Sequence, residues 1–207
     1  MARRKEELTR IASQIQASTE IMHLDLESVD AAKEYRIFLE RFSTIDTVIY
    51  CAGFGEINPE LDWKFCQKTL TVNVMAFTQI TNISYLVMKQ QGCGKFVAIS
   101  SIGGIRGAEN DSGYSASKSY IIKYIEGMAR KSNKEGKHVS FLTVLPGFVD
   151  TQMAKGDHFF WMCTPQIAAQ QIICEIQSGK RYLYVTKRWR LIAWLLSLIP
   201  SFFYERM

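Results

Sequence analysis

"ISSIGGIRGAENDSGYSASKSY", residues 99–120, places two serines, then glycines, then a tyrosine and a lysine four positions apart. Tyr114 and Lys118 at i,i+4 face the same way on a helix. That spacing alone carries little, because the chain holds nine tyrosines and Tyr85 and Lys89 repeat it. The surroundings separate the two pairs. Thirteen positions before Tyr114 stands Ser101, just past the apolar run "KFVAIS" (95–100), whereas thirteen before Tyr85 stands Val72 inside a helical stretch. Tyr114 therefore enters a helix soon after a strand ends, and Tyr85 sits late in one.

Working outward, "DTVIYC" (46–51) is a continuous β-branched run of the kind buried on both faces of a sheet. The glycine-bearing loop "AGFGEINPE" follows it, then a helical stretch from about Leu61 to Lys89 that "GCG" (92–94) stops. Beyond the opening stretch, a helix is predicted from about Gly113 to Ser132, and the strand "HVSFLTVL" (138–145) is cut off by Pro146-Gly147. Thr164 and Pro165 suit the N-cap and first turn of a helix ending near Ser178, before a last strand, "KRYLYVT" (180–186). At the front, Leu8, Ile11 and Ile15 share a face of a charged helix (2–17). "EIMHLDL" (20–26) reads as a strand, and Ser28 as the cap of a helix running to about Phe42.

Five strands alternating with helices imply right-handed crossovers and a mostly parallel sheet in one α/β domain, residues 1–187, with a separate tail, 188–207. Ligands of such sheets bind beyond the carboxyl ends of the strands. Those ends are Asp25, Cys51-Ala52-Gly53, Ser100-Ser101 and Pro146-Gly147, so small and polar residues collect at one edge.

The composition narrows the function. The 207 residues are 47% hydrophobic and 22% charged, as in an ordinary folded protein, and the net charge of +5 forms no basic stripe with interleaved aromatics in the body of the chain. Nucleic acid is not an expected partner. Five cysteines without C-x-x-C spacing fit reduced thiols, and three scattered histidines give no metal-ligand pattern. The charged N-terminus lacks the apolar region of a signal peptide, which makes the cytoplasm the expected location.

Taken in order, these residues resemble the short-chain dehydrogenase/reductase family, from "ARRKEEL" to "PGFVDTQM". The resemblance is carried by Asp25-Leu26 after a strand, Ala52-Gly53 of the family's "NNAG", Asn73-Val74 on the long helix, Ser101, the pair Tyr114 and Lys118, and Pro146-Gly147 with Val149 and Thr151 following. It implies a Rossmann-like parallel sheet flanked by helices, and an NAD(P)-dependent oxidoreductase with Asn73, Ser101, Tyr114 and Lys118 as catalytic tetrad. Hydride passes between nicotinamide and carbon, so the protein handles the proton and the charge on oxygen. Tyr114 would move that proton. A free phenol has a pKa of about 10, and the Lys118 ammonium one turn away is expected to favour the phenolate. Ser101 would bond the substrate oxygen. Asn73 would anchor a water leading from Lys118 to solvent, or else merely mark a helix kink. Ser100 has a structural part. The cofactor residues implied are Arg3, Asp25, Leu26, Cys51, Ala52, Gly53, Tyr114, Lys118, Pro146, Gly147, Val149 and Thr151. Arg3 favours the 2′-phosphate of NADP, with NAD as the other option. "GGIRG" (103–107) looks like a phosphate loop, but no helix begins directly after it.

Two departures stand out. "NNAG" reads "YCAG" here, so Cys51 replaces an asparagine near the cofactor. The family's first strand and its "TGxxxGIG" turn, whose amides hold the pyrophosphate, precede everything seen in this chain. The expectation is therefore an N-terminally truncated fold, with strand 20–26 lacking a neighbour and dinucleotide binding by these residues alone weak or absent. The alternative function is an inactive truncated family member, or a membrane-associated interaction protein.

Residues 154–163, "AKGDHFFWMC", fall where the family carries its substrate loop. Phe159, Phe160 and Trp161 suggest a small apolar carbonyl or alcohol as substrate, or equally packing. In the tail, the apolar run Leu191 to Ile199 is too short to span a bilayer. Lys187, Arg188 and Arg190 beside Trp189 and Trp194 suit a peripheral helix at a membrane interface. A homo-oligomer contact or a cover for the sheet edge fits the same residues.

Overall fold

The computed structural model describes residues 1–136, 138–151 and 160–206. Four strands, β1 (Thr47–Tyr50), β2 (Cys93–Ile99), β3 (His138–Pro146) and β4 (Tyr182–Val185), form one parallel sheet in the order β1-β2-β3-β4. Its helices are α1 (Lys5–Ala12), α2 (Ala31–Leu39), α3 (Trp63–Leu70), α4 (Phe77–Gln91), α5 (Ser112–Lys134), α6 (Pro165–Ser178), α7 (Trp189–Leu198) and α8 (Ser201–Tyr204). Parallel neighbours need long crossovers, which the helices supply.

The two central strands are covered on both sides. Phe96, Ala98, Val139 and Phe141 pack with Tyr35 of α2, Phe77 and Met88 of α4 and Ile121 of α5, while Val97, Leu142 and Val144 pack on the other face with Ala168 of α6 and Leu183. Alternate residues of each strand thus enter different cores, which is why both strands read as unbroken apolar runs. The edge strand β1 departs from that expectation. Tyr50 is buried, but Ile49 on the opposite side is 44% exposed. An edge strand with only one covered face explains the difference.

The expected strand at 20–26 does not form. Its only pairing among the described residues is a single bridge between Ala2 and His23, in which the Ala2 amide donates to Met22 at 3.2 Å and the Leu24 amide to Ala2 at 3.1 Å. A strand persists only where its amides and carbonyls find partners, and one short contact satisfies two residues. The sheet accordingly has four strands rather than five. At the start of α2, the Ser28 hydroxyl accepts from the Asp30 amide at 3.2 Å, forming a turn ahead of the helix instead of its cap. α1 ends at Ala12 and leaves Ile11 and Ile15 about half exposed.

The long helical stretch is interrupted at its centre, where Thr71–Ala76 form a wide, π-type turn between α3 and α4. Such turns free a carbonyl from the helical ladder. Tyr50 takes it up, its hydroxyl donating to Val72 at 2.7 Å. Gly92 closes α4 at φ 86°, the left-handed geometry that glycine adopts without strain. Tyr85 and Lys89 serve as a structural clamp, holding the Glu135 carboxylate at 2.7 Å each.

After β2 the chain makes a single 3₁₀ turn, Ile102–Gly104, against α5. A Cβ on Gly104 would lie 2.7 Å from the Lys118 carbonyl carbon and 2.9 Å from the Ser119 nitrogen. Backbone cannot yield as a side chain does. Gly104→Ala is therefore expected to destabilise the fold by about 1–3 kcal/mol, read as a lower urea midpoint. Gly107→Ala, where a Cβ would meet nothing within 4 Å, should leave that midpoint nearly unchanged.

Candidate active site

Ser101 leaves β2 in extended geometry and its hydroxyl accepts the Gly103 amide at 3.0 Å. Tyr114 lies in the first turn of α5, and its hydroxyl meets Ser101 in a hydrogen bond. One turn on, Lys118 is 4% exposed; its ammonium donates to the Ile99 carbonyl at 3.1 Å and stands 5.6 Å from the centre of the Tyr114 ring. α5 is held in place from behind, because the buried Ser100 hydroxyl donates to the Lys118 carbonyl at 2.8 Å.

Asn73 points in from the wide turn and is fully buried. Its amide donates to the Phe54 carbonyl at 2.7 Å and to the Ser117 hydroxyl at 2.9 Å, while its oxygen accepts the Phe54 amide at 2.8 Å. Both backbone groups of one loop residue are thus paired with a single side chain. The loop after β1 is consequently drawn over the site. A Cβ on Gly55 would lie 2.4 Å from the Tyr114 ring, and one on Gly53 would approach the Lys118 ammonium to 3.3 Å and the Asn73 oxygen to 3.7 Å.

Electrostatics here follow from desolvation. Burial draws the Lys118 ammonium down to about 8, opposed in part by Cys51. Burial pushes the Tyr114 phenol up, the Ser101 hydrogen bond pulls it back in part, and the nearby Asp111 carboxylate pushes it further up. This reverses the expectation that Lys118 favours the phenolate. The ammonium faces the ring and donates its hydrogen bond to a backbone carbonyl, so burial decides the direction.

The structure brings Asn73, Ser101, Tyr114 and Lys118 together with Gly53. Cys51 is exposed at the end of β1, and Ala52 packs on the core beneath it. Pro146 ends β3, and the Gly147 amide donates to Val185 at 2.7 Å. Val149 bridges Cys163, and Thr151 is exposed. On the front segment, Asp25 accepts the Glu27 amide at 3.0 Å and Leu26 packs on the core, while Arg3 pairs with Glu27 at 2.8 Å. Of the stretch read as a substrate loop, 154–159 with Phe159 lies outside the described residues. Phe160 and Trp161 pack around Trp189 at ring distances of 5.3 and 6.0 Å.

Sequence reasoning missed four contributors. Ser117 receives Asn73, Gly55 lies against the Tyr114 ring, one buried oxygen of Asp111 has no hydrogen-bond partner, and Trp189 packs so closely on Gly147 that a Cβ there would lie 2.0 Å from its indole nitrogen. Gly55 had a signal, since glycine permits close approach; the other three depend on tertiary neighbours. Trp189, expected at a membrane interface, is 4% exposed and belongs to the core with Ile102, Leu145 and Ala193. Among the described residues no group of three His, Cys, Asp or Glu side chains could hold a metal.

The residues present fit the ribose end of a dinucleotide. Lys118 has three N–H donors and, among the described residues, one carbonyl partner, and Gly53 lets the loop after β1 approach the ammonium closely. Comparison with known proteins gives the family. The family model for short chain dehydrogenase matches residues 1–158. Acetoacetyl-CoA reductase of Allochromatium vinosum is 27% identical over 126 residues, 60% of this chain and 50% of that protein. Levodione reductase of Leifsonia aquatica is 28% identical over 162 residues, 76% and 60% respectively. The chain thus matches between half and three fifths of the length of these two relatives. Among solved structures, a short-chain dehydrogenase from Sphingobium yanoikuyae in complex with NADPH superposes with a TM-score of 0.79 at 18% identity, covering 96% of this chain and 85% of that one. One from Burkholderia cenocepacia in complex with NADP gives 0.77 at 20% identity, covering 89% and 76%. The chain belongs to the short chain dehydrogenase family.

Proposed function

We propose that this protein is an NADP-dependent oxidoreductase that reduces a carbonyl, or oxidises the corresponding alcohol, on a small apolar substrate. The observation that carries the proposal is the convergence of the Tyr114 and Ser101 hydroxyls beside a buried ammonium that Gly53 approaches closely. Relatives named as reductases, and neighbours solved with NADP or NADPH, support it.

When bound, the nicotinamide supplies or accepts hydride. The chain's own residues do the rest. Tyr114 holds its proton at neutral pH because burial raises its pKa, so it is a donor to a carbonyl oxygen that is gaining charge. Ser101 shares that point through its hydrogen bond and orients the oxygen. Lys118 would grip ribose hydroxyls with the N–H groups not given to Ile99. Asn73 acts as a positioning residue, since among the described residues its hydrogen bonds go to Phe54 and Ser117. Arg3, paired with Glu27 but 58% exposed, would exchange that partner for a 2′-phosphate, which favours NADP. Phe148, Phe160 and Trp189, stacked edge to face or tilted within 6.1 Å of one another beside Gly147, support an apolar substrate.

The direct test is NADPH consumption with a panel of apolar ketones and aldehydes. Tyr114→Phe is expected to lower kcat about 10²–10⁴-fold with an unchanged melting temperature. Equal rates in both proteins, or consumption independent of any carbonyl, would remove the assignment.

Stability should report the Lys118 environment independently. Below pH about 8 the ammonium is charged in both folded and unfolded chains, and its burial is fully unfavourable. Between about 8 and its ordinary 10.5 the folded chain releases the proton first, so stability rises with pH. Measured against Lys118→Met, the native chain should gain on the order of 3 kcal/mol across that window, seen in urea titrations at several pH values.

A further inference from the structure

The C-terminal helices carry a feature that oxidoreductase chemistry does not use. α7 is apolar on both sides. Trp189 and Ala193 are buried against the body, whereas Leu191, Trp194, Leu195 and Leu198, spaced i, i+3, i+4, i+7, are 45–58% exposed. A helix apolar all round is ordinarily enclosed on every side. Phe202 and Phe203 of α8 extend the patch at 59% and 62% exposure.

This surface is a fixed platform. Arg106 donates to the Leu196 carbonyl at 2.9 Å and also to that of Ile199, capping the otherwise orphaned end of α7. The Tyr204 hydroxyl donates to Gly107 at 2.8 Å, and the Arg106 guanidinium lies 5.3 Å from the Tyr204 ring. Both anchors are in the loop that follows Ser101. Phe160 and Trp161, 55% and 41% exposed, pack on Trp189 and continue the apolar surface toward Gly147.

Charge identifies the occupant. Residues 180–207 hold six basic side chains and one acidic, a net +5, while residues 1–179 hold nineteen of each and are neutral. Lys180 is paired with Glu175, so the excess positive charge next to the exposed apolar face in the sequence rests on Lys187, Arg188, Arg190 and Arg206. Pairing this face with a second copy would bring two such positive regions together, which is unfavourable. An anionic surface with an apolar interior matches both properties. Among the described residues no helix is long and apolar enough to cross a membrane, and ten residues of α7 extend only about 15 Å.

We propose that α7 and α8 seat the protein in the plane of an anionic phospholipid surface, with Leu191, Trp194, Leu195, Leu198, Phe202 and Phe203 at the acyl boundary and Lys187, Arg188, Arg190 and Arg206 among the headgroups. The carboxyl end of β3 at Gly147, on which Trp189 packs, then lies beside the bilayer, a source of apolar substrates. The geometry of this face stands whether or not the oxidoreductase assignment does.

The test is co-sedimentation of the full chain with vesicles of phosphatidylcholine, with and without phosphatidylglycerol, which needs no enzymatic activity. Binding is expected with phosphatidylglycerol present, weak without it, and reduced by salt. Leu191→Glu with Leu198→Glu should cut partitioning at least about tenfold while leaving the circular dichroism and melting temperature unchanged. Lys187→Gln with Arg188→Gln and Arg190→Gln should remove the preference for phosphatidylglycerol. Three outcomes would overturn the proposal: equal binding to both vesicle types, undiminished binding by the glutamate variant, or a native dimer in sedimentation that the glutamate variant dissociates.

Discussion

The buried ammonium of Lys118 is the group around which the site is organised. A charge taken out of water is tolerated only where partners and shape are fixed. Here the Ile99 carbonyl receives it, Ser100 holds its backbone, Gly104 lets the turn after β2 lie against it, and Gly53 lets the loop after β1 come close. Each belongs to the carboxyl end of β1 or β2 or to the turn that follows, so the parallel sheet brings them together. Tyr114 and Ser101 gain their common position from the same packing.

Asn73 supplies a second constraint from the opposite side. A regular helix would carry that side chain elsewhere; the wide turn at Thr71–Ala76 aims it at the loop after β1. Tyr50 stabilises the turn by bonding its freed carbonyl, and Asn73 fixes Phe54 through both backbone groups. Strand, turn and loop thus determine one another, and the short distance from Gly55 to the Tyr114 ring results. The residue that stands where the family has its first asparagine, Tyr50, has therefore taken on a structural task.

Much of this was legible in the sequence. Ser101, Tyr114 and Lys118 could be picked out because strand ends and helix starts are marked locally, and the Tyr85–Lys89 repeat could be set aside on the same ground. Thr164 and Pro165 begin α6 as their types predict, with the threonine hydroxyl accepting the Ile167 amide at 3.3 Å. What stayed hidden depends on partners far away in the chain. That residues 20–26 lack a neighbouring strand was expected from the family resemblance rather than from those residues themselves, and nothing in "DTVIYC" distinguishes an edge from a centre. Trp189 and Trp194 are equivalent by composition; five positions of helical rotation put one against Gly147 and leave the other exposed. The direction of the Tyr114 shift was missed because spacing fixes proximity to a lysine, not the extent of desolvation.

The account stands or falls on the state of Lys118. Carbon-13 NMR titration of its side-chain methylene next to nitrogen, assigned by the signal lost in Lys118→Arg, measures that state without any ligand or substrate. A midpoint near about 8 is the predicted result. A midpoint with the exposed lysines, at about 10.4, would mean that the ammonium is solvated, and that the site is not built around a desolvated charge.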